Sequence, residues 1–600
     1  MPRLDIWAPR ASQVALEVAD QILPLAQDPS RPGWWTSCDD LAPGIDYLVL
    51  LDGERVPDPR ARWAPAGVDG PSRVVDPAAF VWRDEGWPGA ELGSRSLVYE
   101  LHVGTFTREG TLTSAAQRLG HLADLGVSHV ELLPLAAFDG DRGWGYDGVL
   151  IDAVHEAYGG PQGLVDFVDM AHRTGLAVIL DVVHNHLGPS GNQWEKFGPF
   201  FTDLHHTPWG SAINLDAPGS DDVRRILLDS ALGWLRDYHL DGLRLDAVHE
   251  LHDTRATTFL EDLSREVAAL SHEVRRPLCL VAESDRNDPL TVTDRAHGGL
   301  GLTAQWNDDV HHALHWLLTG EAGGYYADFA SGSAVADTLR HTFLHNGRFS
   351  TFRGRSHGRP VDPRRTPSER FVVALQTHDQ VGNRARGERL SMLTSVDRAA
   401  AGAALLFALP YVPMLFMGEE WGAQTHWCFF SSFHDPELAR AVTEGRRTEF
   451  SSHGWAARDV PDPQDLRTFQ SSVLDWSELD TDNGQRMLSW YRQLSTARRN
   501  RVPATEPPTF VWDTERPTQL SWCAVLADGW LTCTNLSGDA SLTWEVTSDR
   551  HRMQVEAAWK DAPTINATGN PQRHTLTLGP GSTVVLSGVS SLSESTPVAT

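Results

Sequence analysis

The sequence has few cysteines and no long apolar run. Its 600 residues include five cysteines without paired CxxC spacing, which argues against a disulfide framework or a zinc site. No uninterrupted apolar run reaches the ~18 residues of a membrane span, and the N-terminus lacks the apolar segment of a signal peptide. We therefore expect a cytoplasmic protein that does not enter a membrane.

The chain also has no excess of basic over acidic residues. The chain carries 51 Lys and Arg against 79 Asp and Glu, a formal net charge of −28. Because nucleic-acid binding depends on basic side chains that neutralise phosphates, this balance argues against a nucleic-acid partner. Hydrophobic residues make up 41% of the chain, which suffices for folding, and 600 residues are too many for one core. Several domains are therefore expected.

The first part of the chain has the pattern of a small β domain. Residues 14–18 and 47–51 alternate between apolar and polar side chains, and clusters of Pro, Gly and Asp separate such runs. This pattern predicts a β-sandwich over residues 1–95.

The last part of the chain has a similar pattern. Alternating runs at residues 575–578 and 583–586 predict a C-terminal antiparallel β domain over residues 503–590, which begins with a proline-containing linker at 503–508. The Ser- and Thr-rich residues 591–600 are expected to form a disordered tail.

Between these ends, strand-like apolar runs alternate with helical segments. An amphipathic segment at 112–125 separates the first two strands, and another at 485–499 closes the domain. Alternation of this kind is typical of an α/β fold with a parallel sheet, and eight strands suit a (β/α)₈ TIM barrel over residues 96–502. The eight runs are 97–103, 127–133, 177–182, 242–245, 278–281, 301–305, 371–375 and 412–416.

Polar, chemically active side chains follow four of these strands at the point where each strand ends. A Val/Leu/Ile-rich run that ends in carboxylates, histidine or asparagine is typical of a parallel barrel strand whose tip carries chemistry. The four motifs are Asp181-Val-Val-His-Asn185-His186, Asp241-Gly-Leu-Arg244-Leu-Asp246-Ala-Val-His249, Leu280-Val-Ala-Glu283-Ser and Thr377-His378-Asp379-Gln380.

Two of these carboxylates suit the cleavage of an acetal. The reaction needs one carboxylic acid that protonates the leaving oxygen and one carboxylate that meets the oxocarbenium-like carbon, ~5–5.5 Å apart in a retaining enzyme. Asp246 and Glu283 are the candidate pair. A single acidic residue at a strand end is as often a loop cap or a surface ion pair, but four motifs in order argue against that interpretation.

The motifs resemble those of the α-amylase family of glycoside hydrolases, family 13. The resemblance implies that Asp246 is the nucleophile, Glu283 the acid/base, and Asp379 a third carboxylate that stabilises the transition state by binding sugar hydroxyls. Arg244 precedes Asp246 by two residues, so both side chains should lie on the same side of the strand.

The same resemblance implies further substrate-binding residues. His186 and His378 match the two histidines that bind the sugar in subsite −1, and Gln380 and Asn383 follow Asp379 into the cleft. His249 follows the nucleophile in the same way. The segment Trp144-Gly-Tyr146-Asp147 matches the loop that supplies an aromatic platform beneath that sugar, with Tyr146 as the candidate and the choice of aromatic residue open.

No metal or other cofactor is expected. Asn185 occupies the place of an amylase calcium ligand, but amylases complete that site from an inserted domain, which is short and poorly matched here. The oxygen ligands that calcium needs are therefore not evident in the sequence.

Segments between the motifs narrow the resemblance to one group of the family, the maltooligosyltrehalose trehalohydrolases. These segments are residues 143–148, 282–289, 305–315, 379–389 and 417–423. The N-terminal domain agrees, since it resembles the carbohydrate-binding-module-like sandwich that precedes the barrel in glycogen-branching and debranching enzymes. The group hydrolyses the α-1,4 bond next to the terminal trehalose of a maltooligosyl-trehalose, and a maltooligosyltrehalose synthase is expected to supply that substrate.

A trehalose leaving group requires a pocket of its own. The cluster of Asp308, Asp309, His311 and His312 at the end of the sixth strand is the predicted part of that pocket. Its alternative role is to begin a helix with exposed charges, and Asp308 could serve both as N-cap and as ligand.

Two alternatives stay open at this point. A glycogen-debranching or branching enzyme of the same family would share the sandwich, the barrel and the three carboxylates. A non-catalytic glucan-binding protein could retain the barrel, since a fold does not determine an activity. The presence of Asp246, Glu283 and Asp379 argues against the second alternative, because a binding protein has no need of all three.

Overall fold

The computed structural model describes residues 4–38, 40–452, 460–501, 507–514, 520–548, 553–592 and 598–599. This part of the chain forms an N-terminal antiparallel β domain, a closed barrel of parallel strands and a C-terminal antiparallel β domain. The predicted fold class is confirmed.

The barrel strands are short, buried runs of aliphatic residues, as a parallel sheet covered on both faces requires. All eight predicted runs form strands, and the eighth pairs with the first to close the barrel. In chain order the strands are Val98–Leu101, His129–Leu132, Ala177–Val182, Gly242–Leu245, Cys279–Ala282, Ala304–Trp306, Phe371–Ala374 and Val412–Phe416.

Helices pack around the barrel through their apolar faces. The helix Phe259–Val274, for example, begins with a capping box between Thr258 and Glu261 and buries Leu263 and Val267. The longer helices are Gly160–Thr174, Ser220–Asp237, Phe259–Val274, Asp308–Thr319, Gly332–His341, Val396–Ala408, Pro436–Ser452 and Asp482–Asn500. Shorter ones are Val103–Phe106, Leu112–Ala116, Leu119–Leu125, Trp194–Phe197, His378–Gly382, Leu390–Leu393 and Leu466–Ser472. Within the described ranges, no helix is long and apolar enough to cross a membrane.

The amphipathic segment at 112–125 differs from the prediction, because it forms two helices, Leu112–Ala116 and Leu119–Leu125. Leu112, Leu119 and Leu122 are all buried, so the apolar face continues across the break. An apolar pattern of this kind shows which face is buried and gives no sign of the interruption.

In the N-terminal domain, one strand joins two parts of a bent sheet. Gln21–Gln27 pairs with Val14–Val18 through its first residues and with Trp34–Ser37 through its last. The bend encloses a core that includes Leu16 and Val49. The remaining strands are Asp5–Trp7, Asp46–Leu51, Glu54–Val56 and Ser72–Arg73.

The C-terminal domain consists of two antiparallel sheets that pack around Trp522 and Trp544. In the described residues, one sheet has the order Thr509–Trp512, Trp522–Ala527, Trp530–Asn535, Thr583–Ser587, Gln554–Trp559. The other has the order Thr564–Ala567, Arg573–Leu578, Leu542–Thr547, Ser591–Leu592. Of the predicted linker at 503–508, residues 503–506 lie outside the described residues.

The predicted disordered tail needs a correction. Ser591–Leu592 and Val598–Ala599 each pair antiparallel with Leu542–Thr547. The two segments cover the edge of that strand opposite Arg573–Leu578, where unpaired backbone groups would readily accept another strand. Residues 593–597 and 600 lie outside the described residues.

The segment that leads from the N-terminal domain to the barrel is fastened at the barrel's N-terminal end. His172 lies between two carboxylates, with Nδ1 2.8 Å from Asp84 and Nε2 2.9 Å from Asp241. Trp87 stacks on His172 and donates to Asp241. Asp241, the first residue of the nucleophile motif, therefore lies at the opposite end of its strand from Asp246.

Candidate active site

Three carboxylates meet one fully buried arginine at the C-terminal end of the barrel. Arg244 Nη1 lies 2.8 Å from Asp181 Oδ2 and 2.9 Å from Asp246 Oδ1, and Nη2 forms an ion pair with Glu283 Oε2 at 2.9 Å. The guanidinium also lies over the ring of Trp306, 4.2 Å from its centroid. One cation thus joins the tips of the third to sixth strands, and Glu283 has a cationic neighbour that the sequence did not reveal.

The carboxylate of Asp246, the predicted nucleophile, is held through both of its oxygens. Oδ1 contacts Arg244, and Asn185 Nδ2 donates to Oδ2 and to the backbone carbonyl of Asp246, each at 2.7 Å. The next residue, Ala247, has φ of +37°, which is uncommon for a residue other than glycine. Its N–H donates to Glu283 Oε2 at 2.8 Å. This strained turn therefore links the two predicted catalytic carboxylates.

Tyr146 lies beside Asp181, the carboxylate of the third barrel strand. Its hydroxyl donates to Asp181 Oδ2 at 2.6 Å and lies 2.9 Å from His378 Nε2, and its ring stacks on that of His378. Burial, only partly opposed by Arg244, raises the pKa of Asp181 to about 7. The Asp181 carboxyl thus has a raised pKa, and the Tyr146 hydroxyl bridges this carboxyl to the His378 ring.

A buried glutamate that the sequence analysis missed holds His378. Glu100 Oε1 lies 2.6 Å from His378 Nδ1, and Oε2 accepts the backbone N–H of His378 at 2.9 Å. Burial alone would lower the pKa of His378, but Asp379 and Glu100 outweigh it and raise the pKa to about 9. His378 is therefore an imidazolium at neutral pH. The sequence did contain one sign of this role, because Glu100 is a carboxylate inside the otherwise uncharged first barrel strand, Val98–Leu101.

Asp379 lies on the short helix His378–Gly382, whose N-cap is Thr377. Asn383 Nδ2 donates to Asp379 Oδ1 at 3.3 Å. Gln380 Oε1 accepts the backbone N–H of Thr377 at 2.8 Å, and its Nε2 lies 3.4 Å from Asp308 Oδ1. Gln380 thus caps the helix and reaches across the cleft to the sixth strand's tip.

Asp308 is exposed to the cleft and does not cap its helix. The N-cap is Asn307, whose side chain accepts the N–H of Val310 at 3.2 Å, so the alternative in which Asp308 caps the helix does not hold. Enclosure by the cleft walls, followed by the negative charges of Glu283 and Asp379, raises the pKa of Asp308 to about 7. Asp308 thus presents its carboxyl to the cleft, close to the negative charges of Glu283 and Asp379.

Two members of the predicted pocket cluster do not face the cleft. Asp309 is 4% exposed and accepts the backbone N–H groups of Leu344 at 2.8 Å and His345 at 3.0 Å. His311 is 2% exposed, with Nδ1 2.8 Å from the carbonyl of Leu375. The turn of the helix directs both side chains into the protein, so the structure does not bring them to the cleft, where the sequence analysis predicted them.

His312, by contrast, borders a group of exposed aromatic rings. Its ring centroid lies 4.8 Å from that of Tyr325, which in turn contacts Phe352 edge to face at 5.8 Å. Tyr325 is 37% and Phe352 59% exposed. Next to them, Arg353 pairs with Asp285, two residues after Glu283. The sequence analysis missed these aromatic residues, because their positions follow no motif.

His186 and an exposed tryptophan form another part of the cleft. Trp209, 52% exposed, stacks on His186 with 4.1 Å between ring centroids. His186 Nε2 lies 3.0 Å from the carbonyl of Tyr146. A cavity of about 560 Å³ adjoins them and is lined in part by Asp147 and Asn192. Trp209 lies between the strands Phe201–Thr207 and Gly210–Ile213, which the sequence analysis did not identify.

His249 and Asn185 are engaged by the protein itself. His249 Nδ1 accepts the N–H of Asp285 at 3.3 Å, so it connects the loops after the fourth and fifth strands. The amide oxygen of Asn185 bonds to His186, and its amide nitrogen bonds to Asp246. In the part of the chain that the structure describes, no three His, Cys, Asp or Glu side chains are grouped as metal ligands.

Comparison with known proteins agrees with this geometry. The family model described as alpha amylase, catalytic domain, matches residues 78–198. A malto-oligosyltrehalose trehalohydrolase from Arthrobacter ramosus is 51% identical over 511 residues, which are 84% of this chain and 88% of that protein.

A solved structure and a more distant relative complete the comparison. The crystal structure of a Salmonella typhimurium protein named as an alpha amylase superposes with a TM-score of 0.85 at 37% identity and covers 98% of this chain and 97% of that one. A 1,4-alpha-glucan branching enzyme from Xanthomonas oryzae is 28% identical, over 71% of this chain and 61% of that protein. The branching enzyme is thus the more distant of these relatives.

Proposed function

The chain belongs to the malto-oligosyltrehalose trehalohydrolase family of α-amylase-type glycoside hydrolases, and from this premise we propose the reaction and the residues that carry it out. The protein cleaves the α-1,4-glucosidic bond next to the terminal trehalose of a maltooligosyl-trehalose and releases free trehalose. The observation that carries this proposal is the bridge that Arg244 makes between Asp246 and Glu283, because it keeps the two carboxylates close, as retention requires.

In the first step, Glu283 donates its proton to the glycosidic oxygen as Asp246 attacks the anomeric carbon. The carbon–oxygen bond to trehalose breaks, and the maltooligosyl unit becomes esterified to Asp246. Arg244 and Asn185 hold the two oxygens of Asp246, so the attacking carboxylate needs little reorientation. Asp379 binds hydroxyls of the sugar that develops positive charge.

In the second step, Glu283 acts as a base. It removes a proton from water, the water oxygen attacks the anomeric carbon, and the ester bond to Asp246 breaks. The maltooligosaccharide leaves with the α configuration restored, and Glu283 is again protonated. The imidazolium of His378, whose ring Glu100 and Tyr146 keep in place, adds a positive charge next to Asp379.

The leaving trehalose binds on the side formed by the sixth and seventh strands. Asp308 and Gln380 offer hydrogen bonds there, and His312 and Tyr325 add a partly apolar wall. Trehalose and maltose differ in how the terminal glucose is turned, so discrimination must come from directional contacts with hydroxyls. Such contacts discriminate strongly when they are left unpaired, by up to ~10⁴-fold.

The reaction implies a partner activity. An α,α-1,1 linkage at the end of a maltooligosaccharide must be made before it can be released, so we infer functional pairing with a maltooligosyltrehalose synthase in the cytoplasm. No nucleic acid or membrane takes part in this scheme. A debranching or branching activity is the second candidate. Its support is limited to the shared barrel, since the branching enzyme is 28% identical.

Product analysis tests the proposal. The protein is incubated with maltotriosyl-trehalose and, separately, with maltopentaose, and the sugars are separated by chromatography. We expect rapid release of trehalose and maltotriose from the first substrate and slow hydrolysis of the second. Equal rates on both substrates, or transfer to new α-1,6 branches, would support the debranching or branching alternative. No reaction on either would support a binding protein.

A further inference from the structure

Arg446 is a largely buried cation close to the site, on an element that carries none of the four motifs. It lies on the helix Pro436–Ser452, which follows the eighth barrel strand. Its side chain is 13% exposed. The guanidinium lies 5.0 Å from the ring centroid of Phe429 and 4.9 Å from that of Phe450, so two aromatic rings fix its plane.

The guanidinium donates to the end of the helix that carries Asp379. Nη2 donates to the carbonyl of Gly382 at 2.7 Å, and Nη1 donates to Asn383 Oδ1 and to Glu449 Oε2, both at 3.1 Å. Gly382 is the last residue of that helix, and Asn383 is its C-cap. A cation at this end is also favourable for the helix dipole.

These contacts decide how the Asn383 amide is oriented. An amide has a carbonyl on one side and an NH₂ group on the other. Because Arg446 binds the carbonyl oxygen, the NH₂ group faces Asp379 Oδ1, 3.3 Å away. A flipped amide would place NH₂ against the guanidinium, where two donors meet without an acceptor.

The turn has little room to relax on its other side. A Cβ at Gly382 would lie 2.1 Å from the ring of Trp144, so the backbone of this residue packs directly on that ring. The residues after Asp379 are therefore held between Trp144 and Arg446. Removing the Arg446 side chain should therefore free the side of this turn that Trp144 does not contact.

We propose that Arg446 is a positioning residue for Asp379: it orients Asn383, which in turn fixes the carboxylate that binds the sugar in the transition state. This inference rests on the proposed function, in which Asp379 stabilises that state. A displaced carboxylate binds the substrate nearly as well but stabilises the transition state less, so the effect should fall on kcat and not on KM.

The test compares Arg446→Met, which keeps the apolar stem between the rings, with Arg446→Lys and with the matched control Arg440→Met. Arg440 is exposed on the same helix. With maltotriosyl-trehalose, kcat of Arg446→Met should fall by about 10- to 100-fold, since small misplacements cost up to about 10²-fold, while KM changes by less than about threefold. Arg446→Lys should recover part of kcat, and Arg440→Met should equal the wild type.

A double-mutant cycle shows whether the effect passes through Asn383. In the Asn383→Ala background, Arg446→Met should cause little further loss, because residues that act in one chain are not additive. Multiplicative losses, a change in KM alone, or wild-type kcat in a variant with unchanged melting temperature would each overturn the proposal. A wild-type protein that releases no trehalose would instead overturn the proposed function.

Discussion

Replacing Asp309 by alanine should lower the melting temperature of the protein without changing its substrate preference. The substitution removes the acceptor of two buried backbone N–H groups, those of Leu344 and His345. Each unsatisfied buried donor costs about 1–3 kcal/mol, so the loss of unfolding free energy should be about 2–6 kcal/mol. At about 2 °C per kcal/mol, the value for larger domains, the melting temperature should fall by about 4–12 °C.

The adjacent residue provides the matched control. Asp308→Asn changes an exposed carboxyl in the cleft, so the melting temperature should change by less than about 1 °C, as for most surface substitutions. Its kcat/KM should fall more for maltotriosyl-trehalose than for maltopentaose, whereas Asp309→Ala should leave that ratio unchanged. Calorimetry and initial rates measure both effects. A stable Asp309→Ala variant with selective loss of trehalose release would refute this reasoning and return Asp309 to the pocket.

Three further predictions concern catalysis, metal and pH. Asp246→Asn and Glu283→Gln should each keep the fold and lose at least ~10³-fold of activity, and an activated aryl glycoside should restore glycosyl-enzyme formation only in the Glu283 variant. Equal behaviour of the two variants on that glycoside would mean that their roles are misassigned. Prolonged EDTA treatment should leave activity and Tm nearly unchanged, because the Asn185 amide is bound within the protein; a loss that calcium restores would contradict this. Burial alone would lower the pKa of His172, but Asp241 and Asp84 outweigh it and raise the pKa. Its stabilisation is therefore complete below the unfolded value near 6.5 and is lost as the pH rises through the higher folded pKa, so the Tm difference between wild type and His172→Gln should shrink above about pH 6.5. A pH-independent difference would exclude this linkage.

The barrel and its catalytic end were predictable because two independent patterns coincide there. Strands buried on both faces must be apolar, and a polar residue at the end of such a run is costly unless it is hydrogen-bonded or paired, so its presence there points to a function. Asp246, Glu283 and Asp379 each follow a run of this kind, and the strand order brings them to one end of the barrel.

The direction of each side chain was not predictable from the same pattern. Asp308 and Asp309 are adjacent acidic residues, and the sequence gives no reason to prefer either for the cleft. Because successive residues of a helix point about 100° apart, one faces the cleft and the other binds the backbone of Leu344 and His345. The N-cap, Asn307, decides where the helix begins and hence which residue faces out.

Contacts between distant parts of the chain were also beyond the sequence. Glu100 holds His378, which lies 278 positions further along the chain. Arg446 reaches Asn383 from the helix Pro436–Ser452, which follows the eighth barrel strand. Neither residue belongs to a motif, and each acts only once the barrel has closed. Trp209 became recognisable as a wall of the cleft only because its ring lies exposed on His186.

The most direct test of the central claim is time-resolved NMR of maltotriosyl-trehalose as the protein hydrolyses it. The anomeric signals report the bond that breaks and the configuration of the new reducing end in one experiment. We predict free trehalose and α-maltotriose as the first products, with the β-anomer rising later by mutarotation. An initial β-anomer would contradict Asp246 as the nucleophile, and release of glucose or maltose in place of trehalose would contradict the proposed reaction.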